Sequence, residues 1–288
     1  ESGNKKDYFK IKNKGSKYYR KAKDYKEMKQ RELAIEYYLK AGDNGYYKAY
    51  YKCALYVMKD DFDLGIECLE KAINKDVVKA KTKYEELKPM ILKRKAEKGK
   101  SSDILEYAHY LDFKGNDKEK ARLYYKKLAE NGYLNGILNY ARVLKFGDGG
   151  PIDYEESFKY YLLSSKHKSR YGMFQLARMY RDGLGTEKDL DKAEEYFRKS
   201  SDMGNFRAKL ELQNLIVNKC KNLADLGDAT QMNEYGTILE FGKGIKVNMK
   251  EARNYYKQSA KLKNVDGMIN YARMSLQGLG GPVNISEA

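Results

Sequence analysis

Tryptophan is absent, proline occurs 3 times in 288 residues, and there are 2 histidines. So little proline, beside 34% charged residues, disfavours a turn-rich β sandwich and suits helices. His109 and His167 are too few for a His-rich metal centre, and neither has a cysteine at ligand spacing. Cys53, Cys68 and Cys220 form no metal-ligand pattern and leave at least one thiol unpaired, which leans toward a reducing compartment such as the cytoplasm. No stretch approaches the ~18 consecutive apolar residues of a membrane span. Also missing are Gly-x-Ser-x-Gly, His-Glu-x-x-His and Cys-x-x-Cys. No catalytic residue, metal, cofactor or small-molecule substrate is therefore expected. The first residue is Glu1 rather than methionine, so a cut or processed chain is expected, and a lost leader stays open.

Positive charge is plentiful and unevenly spread. The net charge is +16, and residues 1–31 hold 12 Lys and Arg against 4 Asp and Glu. Such an arm attracts acidic surfaces: a carboxylate-rich protein segment, an anionic membrane or a nucleic acid. The plainer reading is a solvated, lysine-rich face.

The 28 tyrosines do not scatter; they mark a repeat. Leu138-Asn139-Tyr140-Ala141-Arg142, Phe174-Gln175-Leu176-Ala177-Arg178 and Ile269-Asn270-Tyr271-Ala272-Arg273 align. Glycine pairs follow each, Gly147/Gly149, Gly183/Gly185 and Gly278/Gly280, and a fourth copy carries Tyr235-Gly236 before Gly242/Gly244. A second segment repeats as Ala121 to Tyr125, Ser157 to Tyr161, Ala193 to Phe197 and Ala252 to Tyr256, with Ala34 to Tyr38 as an earlier copy. Each unit reads as helix, short turn, helix, with small residues where helices approach and aromatics forming an apolar stripe. Asp153, Asp189 and Asn248 are placed to cap second helices, and Gly45, Gly132 and Gly204 to end them. One hairpin cannot bury its own stripe, so neighbours must stack. An aromatic stripe at helical period reads as core rather than as a platform for bases.

Two stretches 128 residues apart, Ala80 to Gly99 and Ala208 to Gly227, lack the glycine turn. Pro89 is expected to open a new helix in the first, while the second can run on continuously. The fold class is all-α, a right-handed superhelical solenoid of stacked helix-turn-helix repeats. Its parts are a basic arm over 1–31, degenerate short repeats over 32–102, and regular repeats over 103–288. The regular part has an atypical unit at 205–227 and a last repeat truncated at Ala288, so the parent protein is expected to continue.

These residues resemble the Sel-one-like repeat, a relative of the tetratricopeptide repeat. The fullest copy runs from Leu176-Ala177-Arg178-Met179-Tyr180 through Gly183-Leu184-Gly185 to Lys192-Ala193-Glu194-Glu195-Tyr196-Phe197-Arg198-Lys199. The resemblance implies a non-catalytic scaffold or adaptor, a subunit of a larger multi-protein complex. In the tetratricopeptide fold, first helices line a concave groove, and the residue after the small Ala or Gly points into it. That analogy selects His109, Arg142, Arg178 and Arg273, then Lys145 and Arg181 three residues on, and Asn139, Gln175 and Asn270 three residues before. Such a ladder suits other proteins with acidic or extended segments, through bidentate contacts to carboxylates and amide hydrogen bonds. The competing reading is a wet face whose arginines pair with neighbouring acids. Two further functions stay open: a client-recruiting receptor subunit of a degradation ligase in the endoplasmic-reticulum lumen, and, less favoured, a nucleic-acid-binding solenoid. Asn284-Ile285-Ser286 is the only glycosylation sequon.

Overall fold

The computed structural model describes residues 2–286, and side chains from Asn13 onward. Glu1, the truncation at Ala288 and the first side chains of the basic arm lie outside the described residues. Among the described residues there are 15 α-helices and no strand. They form two compact units, one ending at Asn116 and the other starting at Asp117.

The first unit holds α1 (Ser2–Glu27), α2 (Arg31–Asp43), α3 (Lys48–Val57), α4 (Phe62–Ile73), α5 (Val78–Glu97) and α6 (Ser101–Phe113). The basic arm is thus helical in its described part. Tyr18, Tyr19 and Tyr25 of α1 meet Tyr37 and Tyr38 of α2 at ring distances of 5.1 to 5.9 Å. Cys53 and Cys68, on the paired α3 and α4, are fully buried free thiols, as their core-like positions predict.

The second unit holds α7 (Lys118–Glu130), α8 (Leu134–Phe146), α9 (Tyr154–Lys166), α10 (Arg170–Asp182), α11 (Leu190–Asp202), α12 (Phe206–Asp225), α13 (Ala229–Phe241), α14 (Met249–Lys261) and α15 (Val265–Gln277). Second helices start on side-chain caps. Asp117, Asp153, Asp189 and Asn248 each accept from the backbone N–H three residues on, at 2.9 to 3.2 Å. Each such cap stabilises by about 1 kcal/mol. The pattern of aromatics sorts by depth. Tyr125, Tyr161, Phe197 and Tyr256 are completely buried. The tyrosine just before three of them pairs with a first-helix tyrosine instead: Tyr140–Tyr160 at 4.8 Å, Tyr180–Tyr196 at 5.8 Å and Tyr235–Tyr255 at 4.9 Å. The rings therefore pack protein, as the stripe predicts.

The glycine turn does two jobs. Its first glycine ends the first helix in the left-handed region, at φ 69° for Gly183. Its second lets two backbones touch. A Cβ added at Gly185 would overlap the Tyr154 carbonyl, and one at Gly149 or Gly280 would overlap the Lys118 or Met249 carbonyl in the same way. The loop is also clasped from the side. Arg122 donates to the Pro151 carbonyl and Arg253 to the Pro282 carbonyl, both at 2.9 Å.

One expectation is corrected. Pro89 opens no helix; α5 runs unbroken through it. An interior proline forfeits a backbone hydrogen bond and crowds the preceding turn. Here Ala80 before it and Ile91, Leu92 and Ala96 after it are all buried, and that packing holds the helix together. Its counterpart, α12, is likewise one 20-residue helix.

Gly185→Ala is expected to lower stability to urea by about 2–4 kcal/mol, since it adds both a strained φ and an overlap with backbone. Gly99→Ala, at φ 86° with nothing within 4 Å of an added Cβ, is expected to cost only about 1 kcal/mol. Equal losses in the two variants would show that the close approach at Gly185 contributes nothing.

Candidate protein-interaction face

The nine ladder residues divide between the units. His109 lies on α6 of the first unit, where its ring meets Phe113 at 6.2 Å. The other eight lie on α8, α10 and α15 of the second.

Several of these eight are engaged within the protein. Arg142 donates to Asp148, the middle residue of its own glycine turn, at 2.9 Å, and Asp148 also accepts from Lys118. The hydrogen bond from Lys118, with the charge of Arg142 beside it, holds the Asp148 carboxyl below the usual carboxylate range. Arg181 bridges Asp182 at 2.7 Å and Glu211 of α12 at 2.8 Å. Arg273 reaches Glu240 of α13 at 2.6 Å. Asn139 donates to the Asn135 carbonyl of its own helix, and Asn270 to Asn233 across to α13, at 2.8 and 2.9 Å.

Lys145, Gln175 and Arg178 behave differently. Lys145 is only 7% exposed, and its Nζ finds the Gln175 amide oxygen at 3.5 Å, a long contact. Neither Lys145 nor Arg178 joins an ion pair among the described residues, the Arg178 Nε is buried without a partner, and its guanidinium rests 5.8 Å from the Phe174 ring. Burial pushes the Lys145 ammonium down to about 8, and repulsion from Arg178 and Arg181 adds to that, while Asp182 opposes it. Nearby, the completely buried Tyr161 hydroxyl has no partner either.

The contrast with the α13–α15 junction is direct. Lys145 and Arg178 are 33 residues apart, as are Glu240 and Arg273. At the second junction Glu240 is 5% exposed and accepts from both Arg273 and the Tyr256 hydroxyl. At the first, two cations occupy the corresponding places, with no carboxylate paired to either. The compensating acids, Asp148, Glu211 and Glu240, were the residues the sequence reading missed as partners. The shared spacing of 33 was the signal that could have found the last of them.

With this geometry in place, comparison with known proteins decides the family. The Sel1 repeat model matches residues 27–46, 49–77, 107–133, 135–169, 170–205, 232–264 and 265–288, well over half of the chain. The chain belongs to the Sel1 repeat family. Sel1 repeat proteins generally mediate protein–protein interactions. No curated protein matches. Among solved structures, a Sel1 repeat protein from Oxalobacter formigenes is similar at 19% identity and a TM-score of 0.46, over 90% of this chain and 83% of that one. A protective antigen of uropathogenic Escherichia coli with an SLR fold gives 22% and 0.42, over 89% of this chain and 55% of that one. A Sel1 repeat protein from Klebsiella pneumoniae gives 19% and 0.33, over 83% and 97%. Among the described residues no helix is long and apolar enough to cross a membrane.

The buried ammonium of this Sel1 repeat protein has a measurable consequence. A lysine whose folded pKa falls to about 8, from an ordinary value near 10.4, destabilises the fold while charged. Between pH 8 and 10 the unfolded chain holds the proton that the folded chain has released, so this contribution improves as pH rises. Lys145→Met is therefore expected to be more stable than the parent at pH 7, by on the order of 2 kcal/mol, with the gap closing toward pH 10. Urea unfolding at several pH values measures it. Because the buried tyrosines titrate in both proteins, the difference isolates the lysine, and a gap constant with pH would contradict the assignment.

Proposed function

We propose that this Sel1 repeat protein is a non-catalytic scaffold or adaptor that holds acidic, extended segments of partner proteins along the first helices of its second unit, with the basic N-terminal arm as an additional attractor. The observation that supports this most is the pair Lys145 and Arg178, two cations packed together that join no ion pair among the described residues. A charge buried without its counter-charge costs the protein stability that an arriving carboxylate would return. A bound Glu or Asp would supply at this junction what Glu240 supplies between α13 and α15. Arg142 and Arg181, already held in fixed positions by Asp148 and Glu211, border the same place and need little further ordering to receive a second carboxylate.

A labelled Glu-Ser repeat peptide, with Gln-Ser and Lys-Ser repeats as controls, tests the reading by fluorescence anisotropy on the full chain. Saturable binding of the acidic peptide alone is expected. The Arg142/Arg178/Arg181 triple alanine variant should weaken it at least about tenfold, or ~1.4 kcal/mol. Lys145→Met with Arg178→Gln leaves the Arg142 and Arg181 ion pairs in place, so a similar loss there cannot come from broken ion pairs. Unchanged affinity in both variants would overturn the assignment.

A further inference from the structure

The first unit contains a cleft of different chemistry, remote in sequence from the face just described. It measures about 710 Å³ and lies between α3 and the turn that leads from α4 into α5. That volume falls within the ~300–1,000 Å³ of pockets that enclose a small ligand or a few side chains. Its walls are apolar and aromatic. Tyr47 is 39%, Leu55 40% and Val78 77% exposed, while Tyr51 packs against the core behind them. Apolar side chains grouped in a concavity leave water a poor neighbour, and a rim of polar residues is the usual frame of a docking surface.

The rim is lysine. Lys48, Lys52, Lys75 and Lys79 all line the cleft, against the single carboxylate of Asp76. None of the four joins an ion pair among the described residues; Lys75 merely sits 5.5 Å over the Tyr47 ring. A second cleft in the same unit, between α4 and α5, shows the alternative. There Arg94 and Lys98 pair with Asp63 and Lys95 with Glu70, at 3.1 to 3.7 Å, so its cations are satisfied internally. The two clefts both border α5 and differ in whether the chain provides acids for its own bases.

We infer that the cleft framed by Tyr47, Tyr51, Leu55 and Val78 receives an aromatic side chain of a partner protein whose flanking residues are Asp or Glu. The ring would lie against the tyrosines and Leu55, and the carboxylates on either side would reach the lysine rim. Rigid tyrosine walls offer contact area at little cost in side-chain entropy, and the lysines give steering and orientation. This anchor demands an apolar residue between acids. The first-helix face needs only carboxylates, so the two sites can stand or fall separately.

The test uses the full chain and labelled acetyl-Glu-Asp-Phe-Asp-Glu, with the same peptide carrying Ser for Phe. The Phe peptide is expected to bind saturably and about tenfold more tightly than the Ser peptide. Leu55→Asp should reduce its affinity about tenfold, and so should Lys52→Glu with Lys79→Glu. Lys93→Glu with Lys126→Glu, which changes net charge equally at places outside the cleft, should alter it less than about twofold. Thermal melts followed by circular dichroism establish that the variants are folded, and all five substituted positions are exposed. Equal affinity for the two peptides, or an equal loss in the control pair, would mean general attraction to a +16 protein and would overturn the inference. So would the absence of saturable Phe-peptide binding up to millimolar concentration. Tighter binding to phosphatidylserine vesicles, lost in the same cleft variants, would assign the cleft to a membrane surface instead.

Discussion

The seating of a second-helix ring against a small residue on its first-helix partner is what the rest of the second unit depends on. At Gly236 the fit leaves no room for a side chain: an added Cβ would meet the Tyr256 ring at 2.8 Å. Ala141 and Ala177 share one core with Tyr161 and Phe197, all completely buried. Each ring contributes on the order of 1.5–3 kcal/mol by leaving water. No single hairpin encloses its own ring, because the core containing Tyr161 and Phe197 also draws on Ala208 and Leu215 of α12. Stability is thus a property of neighbours, in keeping with a repeat array. The glycine turns belong to the same constraint. They bring carbonyls such as that of Tyr154 so close that any Cβ would keep the layers apart.

Fixed layering has an electrostatic consequence. Because each first helix repeats the geometry of the last, two residues 33 apart decide the charge of a whole junction. Glu240 and Arg273 make a closed pair, strengthened by the Tyr256 hydroxyl. Lys145 and Arg178 repel, and a long contact to Gln175 and the more distant charge of Asp182 only partly offset the burial of the lysine. On the proposed function, cohesion and attraction therefore fall to different junctions through single substitutions in the repeat. No change of backbone is needed.

Much of this was legible in the residues. Constant spacing of Tyr-Ala-Arg and Gly-x-Gly gave the helices, their order and the burial of the tyrosine pairs, because period and small-residue placement are local properties. The cap residues Asp153, Asp189 and Asn248 were legible for the same reason. Pro89 was misread because local propensity favours a break there, whereas Ile91, Leu92 and Ala96 gain enough from burial to continue the helix. The arginine ladder was half legible. Its residues lie where repeat analogy puts them, on first helices, yet the acids that engage Arg142, Arg181 and Arg273 come from a loop and from neighbouring helices. A pattern within one helix does not show what its own turn supplies to Arg142, or what neighbouring repeats supply to Arg181 and Arg273.

Several surface cations of this protein sit within reach of an acid three or four residues along the same helix, as in Lys71–Glu67 and Lys199–Glu195. Exposed pairs of that kind are worth little energetically, but they locally cancel the field. Where such partners are missing, the field persists and concentrates over whatever the backbone places there. In the second unit that is a buried ammonium beside a guanidinium; in the first it is four lysines around tyrosine and leucine. The two environments differ in dielectric and in shape, so the same excess of positive charge selects differently. A tight polar junction rewards a bare carboxylate, and an apolar cleft rewards a ring that brings carboxylates with it. On the proposed function, selectivity follows from where internal acids are withheld, and a change in that pattern would retarget the protein while leaving the ring-and-small-residue packing untouched.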